Sequence, residues 1–194
     1  CGSGVGWSVC VLAGFKRWGR GQVGGRCERI APAGALATSN VLAKGRELPG
    51  RSERSLSGGD VVLGSGRTDG RAQLVFFAAP DCPVCKSILP AFRSLAAAES
   101  GSTEFLLASA GEAIEEHLRF IADEGLQKFG YVLSDRLGME LGISKLPYAV
   151  LLCPEGRVEA FGLVITREHL ESLFEASERG VVSLQQYMTV GQRE

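Results

Sequence analysis

The spacing of apolar and polar residues changes repeatedly along the second two-thirds of this chain, and each change predicts an element. Gln73-Leu74-Val75-Phe76-Phe77-Ala78-Ala79 reads as a fully buried strand, an apolar run with aromatics. Residues 83–98 read as a helix, with Pro90 expected to kink it. Thr103 to Ser109 reads as a strand. Glu112 to Glu124 reads as an amphipathic helix with Ile114, Leu118 and Ile121 on its apolar face. His117 falls off that face and is expected at the surface. Gly130 to Leu133 is a short strand, and Asp135 to Leu141 a short helix stopped by Gly142. Strands at 147–153 and 157–164 follow, joined by the turn residues Pro154-Glu155-Gly156-Arg157. Thr166 caps a last helix with Leu170, Leu173 and Phe174 as its stripe. The order βαβαβαββα predicts an α/β fold, a central mixed sheet flanked by helices. Ahead of it, Val61-Val62-Leu63 reads as a short strand and Leu48 to Asp60 as a loop.

Composition narrows this picture. The chain has 194 residues, 45% of them hydrophobic, with a formal net charge of −1. That supports one domain with a real core plus an appendage, and gives no reason to expect nucleic acid as a partner. Glycine crowds residues 1–25, which also hold Trp7, Trp18, Lys16, Arg17 and Arg20. Val5 to Phe15 is apolar but falls short of the roughly 18–20 residues that span a bilayer. This segment is expected to be disordered; the other readings are the stump of a membrane anchor, or a mature lipoprotein with a lipidated Cys1. Gly2-Ser3-Gly4-Val5-Gly6 is not a phosphate loop, because no strand precedes it and no lysine follows in register. Residues 26–60 form a connecting region, 61–180 the α/β domain, and 181–194 a tail.

The chemistry lies in Cys82-Pro83-Val84-Cys85, between the strand at 73–79 and the helix at 83–98. Two cysteines three apart at a strand-to-helix junction are the layout of a thioredoxin-type redox site. Cys82 falls at the N-cap and Pro83 at the first helical position, where a missing N–H costs nothing. The helix terminus stabilises a thiolate there by about 0.3–2 kcal/mol. Adjacent Asp81 opposes this and Lys86 offsets Asp81, so Cys82 is expected below the ordinary thiol range but short of the strongest oxidants. Cys85, one turn further in, would resolve a mixed disulfide. Pro147, just before an apolar strand, is where thioredoxin-like folds place a cis-proline facing the dithiol. An ordinary strand-start proline is the alternative. Leu146 and Tyr148 would then form an apolar lip for a protein substrate.

Other chemistries for the pair make demands on the rest of the sequence. A zinc site needs four ligands, and neither His117, His169 nor the scattered Cys1, Cys10, Cys27 and Cys153 completes one. A buried inert pair is a further alternative. A peroxidase would need a Pro-x-x-x-Thr/Ser-x-x-Cys arrangement, which neither cysteine register satisfies. A copper carrier would enlist His169, which reads more simply as a helix-face residue. No metal and no cofactor is expected. Cys153 reads as a small buried hydrophobe.

Four segments resemble the methylamine dehydrogenase accessory proteins of the thioredoxin-like superfamily. They are Glu28-Arg29-Ile30-Ala31-Pro32-Ala33-Gly34-Ala35-Leu36, Phe76 through Pro90, Lys145 through Leu151, and Gly162 through Leu173. The resemblance spans about residues 26–188. It implies a thioredoxin-like fold for 61–180, in a membrane-associated protein on the periplasmic face of the bacterial inner membrane. It implies a thiol–disulfide oxidoreductase that matures the small subunit of methylamine dehydrogenase, a disulfide-dense, quinone-bearing protein. Cys82 becomes the attacking cysteine, Cys85 the resolving one and Pro147 the cis-proline, with a separate redox partner resetting the dithiol. The alternatives are a disulfide reductase of the cytochrome c maturation type and a non-enzymatic, chaperone-like binder. Two departures stand out. The family's long hydrophobic anchor is short and interrupted here. The buried Asp that many thioredoxins carry six residues before the first cysteine is Phe76.

Overall fold

A computed structural model describes residues 42–178. Within them a five-stranded sheet runs in the order β5-β4-β3-β6-β7. Its strands are β3 (Ala72–Phe77), β4 (Thr103–Ser109), β5 (Gly130–Leu133), β6 (Tyr148–Leu152) and β7 (Val158–Leu163). β3, β4 and β5 are parallel, and β6 and β7 join antiparallel. The helices are α1 (Pro83–Ala98), α2 (Ile114–Asp123), α3 (Asp135–Glu140) and α4 (Arg167–Glu178). From β3 onward the element order is the one the periodicity predicts.

The two-residue period of the strands divides the core. Leu74 and Phe76 of β3, Phe105 and Leu107 of β4, and Ala149 and Leu151 of β6 face α1, α2 and α4. Val75, Phe77, Leu106, Ala108, Val150 and Leu152 face the other way, toward Leu137 of α3 and Leu141 just after it. Both faces are thus covered, which is why β3 reads as an unbroken apolar run rather than an alternation. Phe92 of α1 anchors the first layer, 5.3 Å from Phe76, 5.5 Å from Phe105 and 5.1 Å from Phe129 between ring centroids. The helix continues through Pro90, whose side chain is exposed.

Residues 48–60 are not simply a loop. β1 (Arg51–Arg54) pairs antiparallel with β2 (Asp60–Leu63). The hairpin lies against the second layer, to which Leu42, Leu48 and Leu63 contribute. Gln73, fully buried, pins it: its amide accepts from Gly64 N–H at 3.2 Å and donates to the Val62 carbonyl and Glu104, each at 2.9 Å. A buried amide with every contact made costs little and fixes register. In the turn of the hairpin, Ser55 takes over part of the exposed edge of β5, its hydroxyl accepting from Tyr131 N–H at 2.9 Å. The β6–β7 turn also closes on this hairpin. Gly156 has φ +82°, and a Cβ there would overlap the Gly64–Ser65 backbone.

The expected face of α2 is corrected. Its buried residues are His117, Phe120 and Ile121, while Ile114 and Leu118 are 46% and 45% exposed. The 117/120/121 spacing is as helical as 114/118/121, so periodicity alone does not choose between them. The choice falls to the partners: Tyr131 meets the imidazole of His117, and a buried polar group with a partner is tolerated. His169 has a local task. Thr166 caps α4 by accepting from His169 N–H at 3.4 Å, and His169 Nδ1 accepts from Ile165 N–H at 3.2 Å.

Candidate active site

Cys82 is the N-cap of α1, with φ −92° and ψ 104°, and Pro83 opens the helix. Cys82 and Cys85 form a disulfide with their Cα atoms 5.2 Å apart. Cys82 Sγ also accepts the N–H of Cys85 at 3.1 Å, the bond an N-cap side chain ordinarily makes. The two sulfurs differ in access: Cys85 is fully buried, whereas Cys82 is half-buried. Asp81 is exposed. Lys86, expected to offset it, directs its ammonium over the Phe120 ring of α2, 5.9 Å from the centroid.

The Leu146–Pro147 peptide bond is cis. Phe77, the last residue of β3, pairs with Tyr148, the first of β6. The chain that leaves β3 toward Cys82 and the chain that brings in Pro147 therefore lie at the same end of the sheet. Val164 N–H donates to the Pro147 carbonyl at 3.0 Å and ties this loop to the entry of α4. Leu146 is 41% exposed, and the neighbouring surface also exposes Val84 and Ile165. The two residues expected to form a lip part company. Leu146 is exposed at this end of the sheet, whereas Tyr148 packs into the layer of α3, on the opposite face from Cys85. Burial raises the Tyr148 hydroxyl above its ordinary pKa.

Sequence reading missed two features here. One is an apolar cavity of about 210 Å³ at the ends of β3 and β4, lined by Phe77, Ala78, Ala108, Ile143, Lys145 and Leu146. Its lining comes from segments far apart in the chain, so no local pattern signals it. The other is the buried pair of His117 and Tyr131, whose Nδ1 and hydroxyl are 2.8 Å apart. Burial pushes Tyr131 up to about 12 and His117 below its ordinary value. Phe76, at the position of the thioredoxin Asp, is fully buried against Phe92, so no carboxylate stands there.

Cys153 follows β6 at the end away from Pro147. It is a free, buried thiol that accepts from Arg157 N–H at 3.3 Å, and burial raises its pKa. Cys1, Cys10, Cys27 and the run Ile30 to Leu36 lie outside the described residues, as do 1–25 and 181–194. Among the described residues no cluster of three or more His, Cys, Asp or Glu could hold a metal ion. Among them, too, no helix is long and apolar enough to cross a membrane.

A mixed sheet with a CxxC at the start of α1 and a cis-proline just before β6 defines a thioredoxin-like protein. Solved structures agree on the fold. The thioredoxin domain of a thiol-disulfide oxidoreductase from Bacteroides vulgatus superposes with a TM-score of 0.57 at 22% identity, covering 72% of this chain and 99% of that one. StoA from Bacillus subtilis superposes with a TM-score of 0.54 at 23% identity, covering 65% and 96%. No family model matches the chain. Sequence relatives are closer. The methylamine utilization protein MauD of Methylorubrum extorquens is 42% identical over 185 residues, 95% of this chain and 86% of the relative. MauD of Paracoccus denitrificans is 40% identical over 178 residues, 92% and 86%. MauD of Methylophilus methylotrophus is 40% identical over 167 residues, 86% and 78%. The chain belongs to the MauD family.

Proposed function

We propose that this protein is a thiol–disulfide oxidoreductase that matures methylamine dehydrogenase by cycling Cys82 and Cys85, with the disulfide-dense small subunit as its substrate. The observation that carries this reading is the closed Cys82–Cys85 disulfide at the N-cap of α1, with one sulfur reachable and the other buried. The MauD relatives support the link to methylamine utilization.

In the oxidising direction, a substrate thiolate attacks Cys82 Sγ, and the bond to Cys85 breaks with the electron pair left on Cys85. A second substrate thiolate then attacks the mixed disulfide and releases Cys82, leaving the substrate oxidised and the protein as the dithiol. Reduction runs the same steps backward, with Cys82 attacking and Cys85 resolving. α1 favours each thiolate formed at Cys82 through its unpaired N–H groups. Leu146, Pro147 and the cavity beside them hold the substrate chain next to Cys82. A separate redox partner resets the couple. We place the protein at the periplasmic face of the inner membrane, the compartment where a disulfide-dense substrate is oxidised.

Two experiments test this. In glutathione buffers, read by thiol alkylation and mass, Cys82–Cys85 should show a reversible two-electron transition between roughly −270 and −120 mV. The Cys85→Ser variant should trap the dehydrogenase small subunit on Cys82. Capture of cytochrome c or its assembly factors would replace this substrate assignment. Full maturation in cells carrying Cys82→Ser/Cys85→Ser would make the protein a binder and overturn the redox reading.

A further inference from the structure

Cys85 must lose a proton before it can resolve a mixed disulfide, because the thiolate is the nucleophile. Its surroundings are hydrocarbon. Cys85 is fully buried, and Ile88 and Leu89, three and four residues on along the same face of α1, are buried with it. Phe76 of β3 and Ala149 of β6 belong to the same apolar cluster. Among the described residues no aspartate or glutamate is buried.

The ionisable groups on the neighbouring elements do not supply an acceptor. Asp81, before Cys82, stands in solvent. Lys86 of α1 directs its ammonium over the Phe120 ring, 5.9 Å from the centroid. Tyr131 of β5 shares the cluster with Cys85, but burial pushes it up to about 12, so it holds its own proton. His117 of α2 is taken up by that hydroxyl, with Nδ1 2.8 Å away. Tyr148 of β6 packs on the opposite face of the sheet, and His169 of α4 accepts from Ile165 N–H at 3.2 Å. Cys82 is itself one half of the mixed disulfide.

We propose that Cys85 gives up its proton to solvent alone, which makes it a slow resolving cysteine and turns each mixed disulfide toward the substrate's own second thiol. Burial in hydrocarbon disfavours the thiolate that the attack needs. Two fates compete at the mixed disulfide. In one, the Cys85 thiolate attacks Cys82 Sγ and the bond from Cys82 to the substrate sulfur breaks. The substrate leaves as a thiolate that takes a proton from water, reduced by two electrons, and the Cys82–Cys85 disulfide forms. In the other, a second substrate thiolate attacks the substrate sulfur and Cys82 leaves, so the substrate departs with a disulfide and the protein as the dithiol. The pocket slows only the first. It slows expulsion of Cys85 equally, so rates change and the equilibrium between disulfide and protonated dithiol does not. Ile88 sets the rate. Its Cβ lies about 5–6 Å from that of Cys85 at this helical spacing, so a carboxylate there would reach the thiol, and isoleucine presents hydrocarbon instead. This rests on the reading of Cys82–Cys85 as a working couple.

The test mixes the reduced protein with an aromatic disulfide, dithiobis(nitrobenzoate). Acid stops the reaction at timed intervals, and the peptide carrying Cys82 and Cys85 is read by mass. Cys82 takes the aryl thiol first, and the mixed disulfide then closes onto Cys85. The closing rate should rise about tenfold per pH unit from about pH 7 to about 9.5, past the ordinary thiol value of about 8.5. A plateau inside that range overturns the proposal. Ile88→Glu should close about tenfold faster or more at about pH 7, as a general base one turn away would make it. A folded Ile88→Glu that closes no faster than wild type overturns the proposal. Where circular dichroism shows that Ile88→Glu does not fold, the wild-type pH profile decides alone. A mixed disulfide that closes at no pH overturns the redox reading itself, whereas closing with a plateau overturns this proposal alone.

Discussion

Cys82 both bonds to Cys85 and caps the helix that Cys85 belongs to: its Sγ accepts the N–H of Cys85 at 3.1 Å. The cap holds Cys82 at the boundary with solvent while the first turn of α1 carries Cys85 into the core. Access to the two cysteines is therefore divided by their positions on the first turn of α1.

That division predicts unequal alkylation. A thiol reacts as its thiolate and only where reagent reaches it. The free Cys82 of Cys85→Ser should react with iodoacetamide at least about tenfold faster than the free Cys85 of Cys82→Ser, read by mass after timed quenching. Equal rates would show that the first turn of α1 opens in solution.

Burial of His117 predicts loss of stability in acid. Its folded pKa is depressed from the ordinary 6.5, because burial disfavours the imidazolium. The unfolded chain then binds the proton more tightly, so the contribution is present above pH 6.5 and is lost as pH falls from there toward the folded value. Urea midpoints followed by circular dichroism from pH 8 to 5 should fall in wild type and fall less in His117→Gln. Tyr131→Phe should cost about 1–3 kcal/mol at neutral pH, because it leaves a buried ring nitrogen without its hydrogen-bond partner.

Phe92 is the packing centre of the α1 layer, touching Phe76, Phe105 and Phe129. Phe92→Ala should cost about 3–5 kcal/mol through lost burial and a residual cavity. Urea unfolding measures this directly. A cost under about 1 kcal/mol would mean that the surrounding rings collapse into the space.

Leu146 should separate substrate binding from redox chemistry. It is 41% exposed, so the uncharged change Leu146→Asn should alter stability by no more than about 0.5 kcal/mol. It should leave the glutathione equilibrium of Cys82–Cys85 unchanged and raise KM for a disulfide peptide flanked by apolar residues. An unchanged KM would remove the 210 Å³ cavity beside it from the substrate site.

The local features of this protein are legible in its sequence because their physics is local. The N-cap at Cys82, the proline at the first helical position, the buried run of β3 and the Thr166 cap depend on residues within a turn or two of each other. So does the order of elements from β3 onward, because each has its own period and its own stop signal. Tertiary structure decided what depends on distant partners. His117 rather than Leu118 is buried because Tyr131, from another strand, presents its hydroxyl there. Tyr148 turns away from Cys85 because its pairing with Phe77 sets the face of every residue in β6. Ser55 completes the edge of β5 across 76 residues of chain. Helical and strand periods specify that one face is apolar; which face is buried, and what polar group it carries inside, is settled only when the partner segment arrives.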